Sequence, residues 1–363
     1  MLKIIFHHPL PLDPKAKSAS GIRPQRMLQA FKELGYEVDL VTGYAKERRA
    51  AIKAIKQNIM QGVKYDFVYA ESSTMPTIMT EPHHLPLCPF LDFSFFRFCK
   101  KQRIPIGLFY RDIYWLFEEY GKGMNPVKAM AAKLAYRFDL WVYEQTLTKL
   151  YLPSKEMGEY VPAVSKSRLA ALPPGHNLNK INSLASLDTN SLELFYVGGL
   201  SNHYQLHLLF EVLQELPEIN FTLCTRESEW LAMQHEYPKP TKNIKIIHKT
   251  GAAMEEHLQA CDIAVLFVKP QEYREFASPV KLYEYIGFQK PILASTGTLA
   301  GRFVSENNIG WSLPYTKEAV KQHLIKLAKN RNLLETAYDS LTSVAPTHSW
   351  IARVKQVAKD LTL

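Results

Sequence analysis

The chain has 363 residues, 47% hydrophobic and 22% charged. That composition excludes long disorder, and the length suits about two domains of ordinary size. Lys and Arg outnumber Asp and Glu by 44 to 35, and the excess sits early: 23 against 16 over residues 1–165, 21 against 19 beyond.

A basic first half points to an anionic partner: a membrane surface, a nucleic acid or a phosphorylated substrate. Solubility charge is the plain alternative. Cys88, Cys99, Cys224 and Cys261 form no CxxC pair. A disulfide framework and a zinc knuckle are therefore not expected, and a reducing cytoplasm is the default. No run of 18 apolar residues occurs, so no transmembrane helix is expected. The opening Met1–Pro9 has no small-residue cleavage site and reads as a first strand, not a signal peptide.

In chain order, Leu2–His8 is a continuous apolar run suited to a parallel strand buried on both faces. A Pro, Ser and Gly-rich loop runs to Gly21. A helix is predicted over Pro24–Leu34, with Met27, Leu28, Phe31 and Leu34 on one stripe and Gly35 as its stop. Strand Glu37–Thr42, helix Lys46–Met60 and strands Phe67–Ala70 and Ile106–Tyr110 follow. Met124–Tyr151 is a long helical pattern that leads into a short strand, Leu150–Pro153. The breaker cluster Leu172-Pro173-Pro174-Gly175-His176-Asn177 falls in a linker placed at about 165–190.

The second half restarts the alternation. Strands are predicted at Leu192–Val197, Asn220–Cys224, Ile244–His248, Asp262–Val268 and Pro291–Ala294. Helices are predicted at Pro279–Phe288, near Lys317–Asn330 and over Trp350–Asp360. Repeated strand–helix alternation means parallel α/β sheets with right-handed crossovers. Two consecutive doubly wound domains would set their strand ends against a shared crevice.

The densest signal is Arg274-Glu275-Phe276-Ala277-Ser278-Pro279-Val280-Lys281-Leu282-Tyr283-Glu284-Tyr285, continuing to Lys290-Pro291. A helix opening at Pro279 would offer free N–H groups and a positive dipole end to a diphosphate. Ser278 suits an N-cap and a second phosphate donor. Lys281 lies in the first turn, where a cation opposes the dipole unless an anion is bound. Glu284 can accept two hydrogen bonds from a ribose diol. A plain capped surface helix is the structural alternative.

This segment resembles the donor-binding segment of GT-B glycosyltransferases, notably glycosyltransferase family 4. The order and spacing of Ser278-Pro279, Lys281, Glu284-Tyr285 and Lys290-Pro291 match. The likeness spreads along the chain: Leu152-Pro153-Ser154 looks like the last strand of the first domain and Leu172–Gly175 like the linker turn. Tyr196-Val197-Gly198-Gly199-Leu200 looks like the first strand of the second domain, and Trp350 like the opening of a returning helix.

The resemblance implies an α/β GT-B fold of two Rossmann-like doubly wound domains facing a central cleft. It would place an acceptor domain at 1–170 plus a returning helix at about 347–363, and a donor domain at 171–346. Two departures stand out. Where many members carry a Glu eight residues before Glu284, this chain has Phe276, with Glu275 adjacent. Where members carry a cation after the Gly198-Gly199 turn, this chain has Ser201-Asn202-His203-Tyr204. Arg226 is the substitute cation or, equally, part of a solvated helix start.

On the first domain, the loop and helix start at Gly21 and Arg23 are expected to touch the donor. Asp112, directly after strand Ile106–Tyr110, is the candidate for orienting or deprotonating the acceptor hydroxyl. Arg111 beside it would neutralise it or bind an acceptor phosphate, or the pair would shape the loop. His7 and His8 read as packed or hydrogen-bonded histidines. Pro126–Tyr151 is either a core-facing helix with a solvated basic face or a support for an anionic membrane.

The expected function is transfer of a sugar from a nucleotide-diphosphate sugar to a glycan or lipid-linked acceptor, in capsule, lipopolysaccharide or exopolysaccharide synthesis. Asp112 and Glu275 are the catalytic candidates. Gly21, Arg23, Gly199, Arg226, Ser278, Pro279, Lys281 and Glu284 are the donor-binding ones. No metal ion and no cofactor are expected, since the helix end and Lys281 meet the phosphate charge. The resemblance implies retention of configuration; the cysteine pattern makes a cytoplasmic location the default, and the basic first half is compatible with a peripheral place on the membrane. A GT-B sugar-nucleotide epimerase and a non-catalytic nucleotide-sugar-binding protein are the alternatives. Nucleic acid is not an expected partner, because no basic run of five and no recognised binding motif occur.

Overall fold

The computed structural model describes residues 2–16, 18–177, 191–201 and 204–362. The later part of the expected linker, 178–190, lies outside them. Two compact units emerge: Met1–Pro174 with Trp350–Leu363, and Gly175–Ser349.

The first unit runs β1 (Lys3–His8), α1 (Ala19–Glu33), β2 (Glu37–Thr42), α2 (Ala45–Met60), β3 (Phe67–Glu71) and α3 (Leu91–Lys101). It continues with β4 (Ile106–Phe109), α4 (Pro126–Thr146), β5 (Lys149–Leu152) and β6 (Leu169–Ala171). All neighbours pair in parallel in the order β2-β1-β3-β4-β5-β6. β1, β3 and β4 are buried almost throughout, which is why each reads as an unbroken apolar run.

The second unit runs β7 (Leu192–Val197), α5 (His207–Gln214), β8 (Ile219–Cys224), α6 (Glu227–Met233), β9 (Ile244–Ile247), α7 (Ala252–Ala260) and β10 (Ile263–Leu266). Then come α8 (Glu272–Phe276), α9 (Val280–Gly287), β11 (Ile292–Ser295), α10 (Leu299–Glu306), β12 (Gly310–Leu313), α11 (Lys317–Lys329) and α12 (Leu333–Thr347). Its parallel order is β12-β11-β10-β7-β8-β9.

The last helix, α13 (Trp350–Thr362), belongs to the first unit. Trp350, Val354, Val357 and Leu361 join a core with Met27 and Phe31 of α1 and with Phe109 and Tyr151. Gly107 makes this packing possible: a Cβ there would meet the Tyr151 ring at 2.7 Å and Leu361 at 2.9 Å. Arg353 donates to the Pro173 carbonyl at 3.1 Å, and Gln356 to that of Ala171 at 2.8 Å. A chain turn lacking N–H donors at two prolines thus finds partners for its carbonyls.

α1 begins at Ala19 and not at Pro24. Ser18 takes the extended conformation of an N-cap, and Pro24 falls inside the helix, where its missing N–H spares only the Ser20 carbonyl.

Candidate functional site

In the second unit the strand order reverses between β7 and β10. Ligands of open α/β sheets bind outside the strand carboxyl ends at such a reversal. The chain leaving β7 is Gly198-Gly199. The chain leaving β10 passes through α8 into α9. The donor-like segment therefore reaches this point by topology.

Gly198 has φ +142°, and a Cβ there would strike Lys281 Nζ and lie 2.6 Å from its Cε. Glycine is needed twice over, for the backbone and for the lysine's approach. Lys281 Nζ donates to the Tyr196 hydroxyl, which donates in turn to the Gly199 carbonyl at 2.9 Å. The ammonium also lies 4.1 Å from the Tyr196 ring centre and 3.6 Å from that of Tyr204. The Arg274 guanidinium sits 3.8 Å from the same Tyr204 ring. Two cations thus share one aromatic ring, an arrangement in which each is held by a π face.

Burial pushes the Lys281 amine well below its ordinary value, and the Arg274 charge adds to this against Glu284 and Glu229. No carboxylate lies within ion-pair distance of Lys281 among the described residues. An anion bound here would supply the missing countercharge.

Glu284 is half-buried on α9, and its carboxylate has no hydrogen-bond or ion-pair partner among the described residues. Burial raises its pKa, with Lys281 acting the other way. Two other residues of the segment hold the scaffold. The Tyr285 hydroxyl accepts from Val197 N–H at 3.1 Å, tying α9 to the end of β7. Lys290 Nζ donates to the carbonyls of Gln259 and Cys261 at 2.6 and 2.8 Å, closing the end of α7.

Several expected roles change. α9 starts at Val280, so Pro279 and not Ser278 is the N-cap, and no side chain caps it. The Ser278 hydroxyl instead lies 3.1 Å from that of Tyr283. Glu275 is exposed on α8, while its neighbours Arg274 and Phe276 are buried. Adjacent helix positions point about 100° apart, so a one-residue shift cannot put Glu275 where Phe276 packs. α8 sends both Arg274 and Phe276 inward, and Arg274 is a cation to which the sequence motif assigns no role.

Arg226 is the N-cap residue of α6, its side chain 76% exposed and ion-paired with Glu229. It adjoins Gly199, whose Cβ would lie 3.2 Å from Glu229 Oε2 and 3.6 Å from Arg226.

In the first unit the order reverses between β1 and β3. Fully buried Glu71 ends β3 and takes Arg23 Nε at 3.3 Å, Arg111 at 3.1 Å and the Tyr69 hydroxyl at 2.8 Å. Arg23 is 4% exposed, 3.5 Å from the Phe109 ring centre, and donates to the carbonyls of Leu172 and Pro173. That burial takes Arg23 out of the set available to a donor phosphate. Gly21 lies in the first turn of α1, where a Cβ would clash with Ala16 at 2.5 Å.

Asp112 Oδ1 accepts from Tyr114 N–H at 3.0 Å, a local turn that opens the short helical turn Tyr114–Leu116. His7 Nε2 lies 2.7 Å from Asp92, which also binds Arg48 through two bonds of 3.0 Å. His8 Nδ1 meets the Glu71 carbonyl at 3.1 Å, and burial pushes its pKa down to about 3. A neutral ring must then donate from Nδ1 and keep its lone pair on Nε2.

Two parallel six-stranded α/β units, the second with Rossmann strand order and the last helix returned to the first, define the GT-B fold. Solved structures share it. HepE of Anabaena, determined in complex with UDP, superposes with a TM-score of 0.66 at 13% identity, over 99% of this chain and 100% of its own. Sucrose-phosphate synthase of Thermosynechococcus elongatus gives 0.62 at 13%, over 98% of each chain. WaaG, a glycosyltransferase involved in lipopolysaccharide biosynthesis, gives 0.58 at 14%, over 100% of each. No protein-family model matches the chain, and no curated protein sequence does.

Proposed function

We propose that this protein is a glycosyltransferase that moves a sugar from a nucleoside-diphosphate sugar to an acceptor hydroxyl. The observation that carries the reading is Lys281 at the β7–β10 reversal, half-buried and without a carboxylate at ion-pair distance among the described residues, over a glycine that leaves room for it. A diphosphate is the anion that fits: the first amides of α9, uncapped by any side chain, face the same ligand class. Arg274 brings the second cation that the Gly198-Gly199 turn lacks, and Glu284 suits the ribose hydroxyls.

In the reaction the acceptor oxygen bonds to the anomeric carbon as the bond to the diphosphate oxygen breaks. Lys281 and Arg274 stabilise the charge gathered on the leaving diphosphate, so the proposed transfer needs no metal ion. Asp112 is the first unit's proposed group for orienting the acceptor hydroxyl and taking the proton it loses, and retention of configuration is carried by the family resemblance. Uridine is the base to test first, because HepE was determined with UDP and with UDP-glucose. The proposed acceptor is a lipid-linked glycan of a surface polysaccharide, reached from the cytoplasmic side of a membrane.

Calorimetric titration with UDP, GDP, ADP and the matching nucleosides tests the reading, followed by UDP-sugars with and without candidate acceptors. A nucleoside diphosphate should bind at least tenfold more tightly than its nucleoside, since each charged phosphate contact is worth about 1.5–3 kcal/mol. Absence of binding by every diphosphate would overturn it.

A further inference from the structure

We infer that the first unit docks on an anionic lipid bilayer through the outer face of α4 and the neighbouring end of α3. This deepens the acceptor reading above, but the observations are independent of it. Fourteen large apolar side chains are exposed among the described residues, and nine of them fall between Leu85 and Trp141. That concentration marks a surface, not scattered exposure.

On α4 the exposed apolar residues are Val127, Met130, Leu134 and Trp141, at 76, 61, 58 and 49% exposure. With Phe138 they span roughly 80° of arc at 3.6 residues per turn. The opposite face of α4 is the buried one, with Ala132, Tyr136, Leu140 and Tyr143. The helix is therefore apolar on both sides, and only one side has its partner within the unit. The exposed stripe is also organised: Phe138 lies 5.9 Å from Trp141, α3 adds Phe93 at 5.7 Å from Trp141, and Phe90, just before α3, lies 6.2 Å from Phe138. Trp141 suits the headgroup boundary of a membrane, and the phenylalanines suit the apolar face of an interfacial helix.

Charge decides the occupant. α3 and α4 carry Arg97, Lys100, Lys101, Lys128, Lys133 and Arg137. Of their acids, Asp92 and Asp139 are buried, and Glu144 is held by Ser165 at 2.9 Å. The free charge around the apolar stripe is positive, which complements an anionic surface. A second copy meeting this patch about a two-fold axis would set cation against cation.

The test is flotation of the full chain with vesicles of phosphatidylcholine alone and of phosphatidylcholine mixed with phosphatidylglycerol. The expected result is binding to the mixed vesicles only, weakened by salt. Leu134→Ser with Trp141→Ser should lower the partition coefficient roughly tenfold or more without moving Tm, as loss of buried apolar side chains requires. Lys133→Glu with Arg137→Glu should do the same through charge. No flotation, or flotation indifferent to both double variants, overturns the inference. A concentration-dependent dimer that the Leu134 and Trp141 variant abolishes overturns it in favour of a self-interface. UDP titration of the same preparations separates the two claims: vesicle binding without UDP binding sinks the transferase reading alone.

Discussion

The two units carry parallel sheets of equal size, and each gathers charge where its strand order reverses. They handle that charge differently. In the first unit Glu71 sits between Arg23 and Arg111, and Asp92 between His7 and Arg48. Every one of these groups is matched from within the unit. In the second unit Lys281 has aromatic rings and a hydroxyl around it, but no carboxylate within ion-pair distance among the described residues. Matched charges hold loops in place, whereas a cation left unmatched is costly until an anion arrives. Position at a reversal is therefore not enough to name a binding residue; the state of its countercharge separates scaffold from site.

The largest test of this contrast is Glu71→Ala. It leaves the buried Arg23 and the partly buried Arg111 guanidinium groups uncompensated, so stability of the first unit should fall by about 3–5 kcal/mol. Urea unfolding followed by tryptophan fluorescence should show one transition moved to lower denaturant. An unmoved transition would mean that the pairs are not what holds this edge together.

Lys281→Ala should act in the opposite sense. Removing a desolvated, unmatched amine leaves Tm of the free protein unchanged or raises it, while UDP affinity falls about 10- to 100-fold for the lost charged contact. The pH signature follows from the lowered pKa. From that folded value up to the ordinary 10.5, the unfolded chain holds a proton the folded one lacks, so stability rises with pH across the window. The variant should lose that rise. A simultaneous drop in Tm and in UDP affinity would place Lys281 with the scaffold.

Asp139 is the first unit's exception and sharpens the rule. It is buried, takes Thr77 N–H at 2.7 Å and has no cation partner among the described residues, and burial pushes its pKa up to about 7. Between 3.8 and about 7 the folded protein keeps a proton the unfolded chain has released. This contribution therefore grows as pH falls through that window and is gone above it. Asp139→Asn keeps the acceptor oxygen and should be more stable than wild type above pH 7. The two should converge towards pH 4 with a slope of at most about 1.4 kcal/mol per pH unit. Parallel stability curves would contradict the assignment.

Much of the fold was legible in the sequence, because strands buried on both faces, such as Leu2–His8 and Leu192–Val197, announce themselves as apolar runs. β6 is three residues, Leu-Ala-Ala, and β12 is only partly buried, so neither presents such a run. α12 contains Pro346, a residue that argues against a helix. In the candidate site, the placement of Lys281 and Glu284 on one helix was legible through their spacing. Arg274 and Glu71 were not, because their partners, Tyr204, Arg23 and Arg111, lie far along the chain and only the sheet order brings them close. Ser278 was misplaced by a single residue, since a Ser-Pro pair leaves open which of the two caps the helix.

Arg226 is the smallest expected effect and the finest test of the contrast. It lies beside Gly199, where the proposed diphosphate would sit, yet its side chain is 76% exposed and its charge is met by Glu229. Exposed pairs of this kind contribute about 0–1 kcal/mol, so Arg226→Ala should change UDP affinity less than about fivefold. The double variant with Lys281→Ala should then lose no more than the sum of the two single losses, as independent groups do. Coupling between them would mean that Arg226 leaves Glu229 for the ligand. The second unit's phosphate contacts would then include a residue that is paired in the free protein. Countercharge would still mark Lys281, but it would no longer suffice to exclude a neighbour.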